Sequence, residues 1–343
     1  MSIILKKSKV YLKILLVFFI SLFLFGTYGS RNIEYISSSS QESDAIAIKI
    51  LENERNHKPL VWYQRQGYTG SPQEIKVGGY PAIQHGRSIY VNVGEREAGG
   101  GFNSHIYLIS HNQDVDPTTL EIYRRLVSNW TFNTDIDSNS GDRCEISAFV
   151  CLEDEHCPQG FTCRGNNKCL PEDDDEIPPC RTDEHCPQGL FCNSDKAKLI
   201  RDTIRVGDIR EIEMYLRRYE SQVGQYPGLG AGTYLPGMTM SVWPSWQDEF
   251  AQELGWTPPL DPINVLGECA GDNYDPRTCW DDVQKRFGGH GGGLNMPNES
   301  SAYGYQAIND GEGYTLCTPL EYTNTGGGSI CSGAAHGVFV TSD

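Results

Sequence analysis

Hydrophobic and polar positions follow three different rhythms along this chain. The first is an unbroken apolar run, ILLVFFISLFLFG from Ile14 to Gly26, preceded by Lys6, Lys7, Lys9 and Lys13. A basic flank before an apolar segment marks an export signal or a membrane anchor. A spanning helix needs roughly 20 apolar residues, a length that Val10 to Tyr28 approaches if Lys13 snorkels to the interface. Thr27 and Gly29 offer small residues for a signal-peptidase cut instead. Residues 1–30 are therefore an anchor or a signal segment, and in either case the remaining chain is expected outside the cytoplasm. Residues 31–43, with SSSSQESD, form a polar tether.

The second rhythm has a period near two. AIAIKIL and SHIYLIS have strand composition, and EIKVGGYPAIQHGRSIYVNVG reads as two strands around a turn at His85 and Gly86. PLVWYQRQG between them predicts a short helix. DPTTLEIYRRLVSNWTF then predicts a longer one, with Asp116 as N-cap, Pro117 at the first helical position, and Leu120, Tyr123, Val127 and Trp130 at helical spacing. Residues 44–133 are thus expected to form a small α+β domain.

The third rhythm is helical and long. In DKAKLIRDTIRVGDIREIEMYLRRYESQVGQYP, Ile209, Ile212, Leu216, Tyr219 and Val223 make one apolar stripe. Gly224 stands where a left-handed C-cap belongs, and Pro227 prevents resumption. Arg210, Glu211, Glu213, Arg217 and Arg218 are expected on a solvated face. AYGYQAINDGEGYTLCTPLE predicts a hairpin around Asp310 and Gly311.

Between these units the phrase DEHCPQG occurs twice, and superimposing the copies pairs Cys151 with Cys180, Cys157 with Cys186 and Cys163 with Cys192. Residues 144–193 hold eight cysteines, Cys144 and Cys169 included, and few large apolar side chains, so bridges must stabilise this duplicated module. With Cys269, Cys279, Cys317 and Cys331 the chain has twelve cysteines. An even count in an exported chain is most simply a set of structural disulfides. The Cys-x5-Cys spacing, without C-x2-C knuckles, argues against zinc. Cys269 is expected to pair with Cys279, and Cys317 with Cys331. The acidic, proline-bearing EDDDEIPP is expected to be a solvated linker.

Two resemblances follow from particular phrases. The order of strands and a last helix ending in SNWTF resembles PsbP-like envelope lipoprotein domains, and GSPQ, GYPAI, GRSIYVNV and IYLIS are similar to phrases in surface proteins of candidate-phylum bacteria. Neither implies an activity. The helix reading R-D-x-x-R-x-x-D-I-R-E-I-E and ending in GQYP, with LDPIN at Leu260 to Asn264 and the hairpin at Ala302 to Glu321, resembles the periplasmic half of type IV pilins and type II secretion pseudopilins. That resemblance implies a pilin-like long helix packed on a small antiparallel sheet over residues 196–343. It departs from those proteins in one respect: the apolar segment lies far upstream, without their glutamate.

A net charge of −17 and a pI near 4.9 exclude attraction to nucleic-acid phosphates. No G-x-S-x-G, H-E-x-x-H or phosphate-binding glycine loop occurs, so no catalytic residue, resident metal or cofactor is expected. His105 and His111, sharing strand parity, are the weak candidates for a metal pair, with His290 a further histidine. Asp275, Asp281 and Asp282 near Cys279, or Asp310 and Glu312, are candidates for calcium, which the pseudopilin resemblance also implies. Trp243, Trp246 and Trp256 are candidates for a contact surface, or else fill the groove between helix and sheet. The expected protein is a noncatalytic, membrane-tethered, extracytoplasmic structural or adhesion protein in contact with envelope, pilus or secretion components. The alternatives are a filament-forming minor pilin and an exported metal-dependent enzyme.

Overall fold

Alternating residues in GRSIYVNVGER put Ile89, Val91 and Val93 on one face of a strand and Tyr90 and Asn92 on the other, and both faces are covered. The structure is a computed structural model describing residues 44–96, 102–134, 136, 142–145, parts of 153–171, 179–187, 190–269, 273–288, 294, 296–297, 299–322 and 337–341, with a two-residue pairing of Lys6–Lys7 to Val10–Tyr11. It is α+β with antiparallel sheets and one long helix.

The first sheet has five strands: β1 (Ile46–Glu52), β2 (Gln73–Val77), β3 (Tyr80–His85), β4 (Ser88–Arg96) and β5 (Phe102–His111). Their order is β1-β5-β4-β3-β2, antiparallel throughout. The stretch expected to give two strands gives three. Gly78 and Gly79 have φ of 58° and 84°, so the pair makes a tight hairpin turn that ends β2 and starts β3. Helix α1 (Pro59–Arg65) packs Trp62 and Tyr63 on Ile83, Tyr90 and Ile106 of one face. Helix α2 (Pro117–Ser128) packs Tyr123 on the other, among Val77, Tyr80, Val91 and Ile109. Asp116 caps α2 by accepting from the Thr119 N–H at 2.9 Å. Trp130 lies just past the helix end and still joins that core.

Two two-stranded pieces belong to the cysteine module: β6 (Cys144–Glu145) pairs with β9 (Phe191–Cys192), and β7 (Phe161–Arg164) with β8 (Lys168–Pro171). Bridges join Cys144 to Cys186 and Cys180 to Cys192, while Cys157 and Cys163 are also disulfide-bonded. The module's small core, Cys144, Cys180, Leu190 and Cys192, is closed by Ala197 of the next helix.

That helix, α3, runs from Asp195 to Val223, capped by Ser194 and stopped by Gly224 at φ 86°. It serves both sheets. Its first turns give Ile200 to the core of the first sheet. Its later turns give Ile209, Ile212 and Leu216 to the second, with Tyr303, Tyr305, Tyr314 and Leu316. The second sheet is β10 (Met238–Met240), then, after α4 (Pro244–Gln247), α5 (Glu249–Leu254) and the short pair β11 (Trp280–Asp281) and β12 (Arg286–Phe287), the strands β13 (Gly304–Ile308), β14 (Gly313–Pro319) and β15 (Gly337–Thr341). Its order is β10-β13-β14-β15. The expected hairpin is β13–β14, turning through Asn309–Gly311.

Two expectations about this half need correction. Val223 is 52% exposed, so the stripe ends at Tyr219. Of the face expected in solvent, Arg217 and Arg218 are exposed, but Glu211 and Glu213 are largely covered by partners. The repeated module adjoins α3, which contributes to the cores of both sheets. Cys269 pairs with Cys279 as expected. Cys317 is disulfide-bonded, while Cys331, like Cys151, lies outside the described residues; of Cys169 only the backbone is described.

Gly207, in the middle of α3, is costly for a helix by about 1 kcal/mol against alanine. A Cβ there would sit 3.0 Å from Lys58 Cγ, because the segment Asn56–Lys58 crosses the helix at this point. Helix propensity alone predicts that Gly207→Leu stabilises the protein. The crossing instead predicts a loss of about 1–3 kcal/mol, measurable as a lower urea midpoint with the disulfides intact.

Candidate functional site

Successive turns of α3 carry charges into the interior. Arg205 is fully buried, and its guanidinium forks onto Asp261 at 2.7 and 3.0 Å, reaches Asp202 at 3.1 Å and also binds Glu321. Arg201, nearly as buried, donates to both Glu321 oxygens at 2.6 and 2.8 Å, to Asp183 at 2.6 Å and to the Cys192 carbonyl. Asp202 accepts the backbone N–H groups of Glu321 and Tyr322. The cluster therefore joins α3 to the loop after α5, to the chain leaving β14 and to the second cysteine repeat. Burial works to raise the Glu321 carboxyl, but Arg205 and Arg201 outweigh it and hold it at about 2. Asp202, which also faces the Glu321 charge, is pushed by burial up to about 6 in spite of Arg205.

One turn further, Asp208 binds Lys58 and accepts from the Tyr303 hydroxyl, and Lys58 also reaches Glu211 at 2.7 Å. Burial opposes the Lys58 ammonium, yet Asp208 and Glu211 raise its pKa above the usual lysine value. This triad borders a cleft of about 470 Å³ between α1, β2, β3 and α3, with apolar walls that include Leu60, Val61, Ile83 and Ile204. Asn92 lies at its edge, 1% exposed, with its Oδ1 accepting from Asn53 at 3.1 Å. Beside it, His57 is buried with neither ring nitrogen hydrogen-bonded, and burial together with Arg65, Arg55 and Arg210 lowers its pKa to about 4.

The residues singled out from sequence are scattered. His105 and His111 stand six residues apart along β5, about 20 Å at strand rise. His105 approaches Glu95 at 3.5 Å, and His111 Nδ1 lies 2.8 Å from the Asn112 carbonyl. His290 is outside the described residues. Asp275 binds Arg277, Asp281 accepts the N–H groups of Val283 and Gln284, and Asp282 binds Lys285 at 2.5 Å. Among the described residues, one group of three potential ligands is close enough for an ion: Cys144, Cys180 and Cys186, whose sulfurs are engaged in bridges. Trp243 and Trp246 are 1% and 0% exposed and do not form a contact surface. Their indole N–H groups donate to the Thr278 and Pro259 carbonyls, both at 3.0 Å, which pins the intervening loop over the sheet. Trp256 alone stays half-buried, stacked on Tyr215 at 4.1 Å. The charged cluster was missed in sequence because R-D-x-x-R on a helix reads as solvated; its only signal was the near absence of a polar-apolar division in the first half of α3.

No family model matches the chain, and neither does any curated protein or solved structure.

Two consequences are measurable. Arg205→Ala leaves Asp202 and Asp261 buried without their cation, and the expected cost is about 3–5 kcal/mol in urea unfolding. The pH dependence divides between two groups of opposite sign. Asp202 titrates at about 6 in the fold against an ordinary 3.8, so its contribution is full below about 3.8 and is lost as pH rises through about 6. His57 titrates at about 4 against 6.5, so its contribution is present above about 6.5 and is lost as pH falls through about 4. These slopes oppose each other between about pH 4 and 6.5. Asp202→Asn should uncover the His57 slope, so that urea midpoints fall on acidification, and His57→Gln should reverse it.

Proposed function

We propose that this chain is a noncatalytic, disulfide-braced structural or adhesion protein of the bacterial cell envelope, held at the membrane through its N-terminal segment with its bulk outside the cytoplasm. The observation that carries this reading is the state of the cysteines: among the described residues none is free, and the named pairs are Cys144–Cys186 and Cys180–Cys192 in the module and Cys269–Cys279 in the later loop. Such bridges persist in oxidising compartments. The apolar segment 14–26 lies outside the described residues, among which no helix is long and apolar enough to cross a membrane.

The presented part is the later half of α3 on the β10-β13-β14-β15 sheet, the arrangement that a pilin-like domain implies. The partner class this brings is a type IV pilus or type II secretion assembly in the same envelope. A filament subunit is the weaker version of the reading. The first half of α3, which would have to continue into a filament's helical bundle, is committed to the first sheet and to the Arg201 and Arg205 cluster.

Fractionated cells decide between these. The expected result is an intact N-terminus in the membrane fraction and no thiol reactive to Ellman's reagent in the denatured, unreduced chain. Cytoplasmic protein with titratable thiols would overturn the proposal. A cut near Gly29 would replace the anchor by secretion, and processing ahead of the apolar run would restore the filament subunit.

A further inference from the structure

Trp256 follows α5 and lies with its ring parallel to Tyr215, at an interplanar angle of 2°. One indole face is thereby covered. The half-buried ring also lines a shallow surface cleft of about 610 Å³ with Gln247, Asp248, Glu249, Gln252 and Thr257. No lysine, arginine or histidine lines it. Acceptors dominate: two carboxylates and the Gln247 oxygen left over once its amide has donated to the Pro258 carbonyl at 2.9 Å.

A ligand for this surface must supply O–H or N–H donors, carry no negative charge and present a flat apolar face to the remaining side of the indole. Carboxylate, phosphate and sulfate groups fail the second condition, since two acids would repel them with no cation to compensate. A pyranose ring meets all three, stacking its C–H face on the aromatic ring while its equatorial hydroxyls donate to the carboxylates and amides. We propose that the Trp256 cleft binds an uncharged saccharide. The inference deepens the adhesion reading, on which it rests for its biological sense, by naming what the displayed surface recognises.

The test uses the full chain in a detergent without a sugar headgroup. It is titrated calorimetrically with cellotetraose, maltotetraose, mannotetraose and N,N′,N″,N‴-tetraacetylchitotetraose, with a heparin tetrasaccharide and choline as contrasts. At least one neutral tetrasaccharide should bind and heparin should not. Gln252→Ala, an exposed position, should weaken binding about tenfold, and Trp256→Ala should abolish it, while Trp256→Phe, which keeps a ring on Tyr215, retains part. Absence of binding by all four sugars to folded protein, binding unchanged by both alanine substitutions, or binding of choline or heparin in their place would overturn the proposal. Those outcomes leave the envelope reading standing, which fails separately through free thiols in the cell.

Discussion

The Arg205 guanidinium, buried without access to water, is the constraint on which the rest of the molecule depends. Taking one such cation and its carboxylates out of water costs several kcal/mol per ion, recovered only when every donor finds an acceptor. Here the acceptors come from three places: Asp202 on the same helix, Asp261 on the loop after α5, and Glu321 past the end of β14. None of these segments can move alone without leaving a charge unpaired. Arg201 extends the same logic to Asp183, so the second cysteine repeat is bound to the helix by an ion pair as well as by Ala197 packing. The value of such a cluster lies in selecting one arrangement of four segments more than in raw stability.

One helix can serve two sheets because α3 is not amphipathic in the ordinary sense. Its first half is buried nearly all round, Leu199 and Ile200 on apolar neighbours and Arg201, Asp202 and Arg205 on charged ones. Its second half has a conventional stripe on the second sheet and exposed arginines opposite. The change falls near Gly207, where the chain from the first domain crosses. The first sheet, the bridged module and the second sheet share one 29-residue strut.

The duplicated phrase illustrates how identical local chemistry acquires different roles. Asp154 accepts the Cys163 N–H at 2.7 Å, and Asp183 accepts the Cys192 N–H at 2.8 Å, in the same turn twenty-nine residues on. Cys157 and Cys186 likewise close the same turn through their N–H groups onto the carbonyls of those aspartates. The turn is thus written into the repeat itself. Only the second copy has Arg201 beside it, and only there does the aspartate become part of an interior network.

The sequence by itself determined the local elements whose causes lie within a few residues. The Asp116-Pro117 start of α2, the Gly224 stop of α3, the β13–β14 hairpin and the Cys269–Cys279 pair were legible because caps, turns and short loops are closed by near neighbours. The tight turn at Gly78 and Gly79 is equally local, set by two adjacent glycines at positive φ. Tertiary structure alone decided whether a charged or aromatic side chain faces water. Nothing adjacent to Arg205 announces Asp261 or Glu321, which lie 56 and 116 residues away. Trp243 and Trp246 differ from Trp256 only in where the loop after α5 is pinned. Burial is a property of what long-range packing brings to a residue, and a pattern of neighbours along the chain carries no record of it.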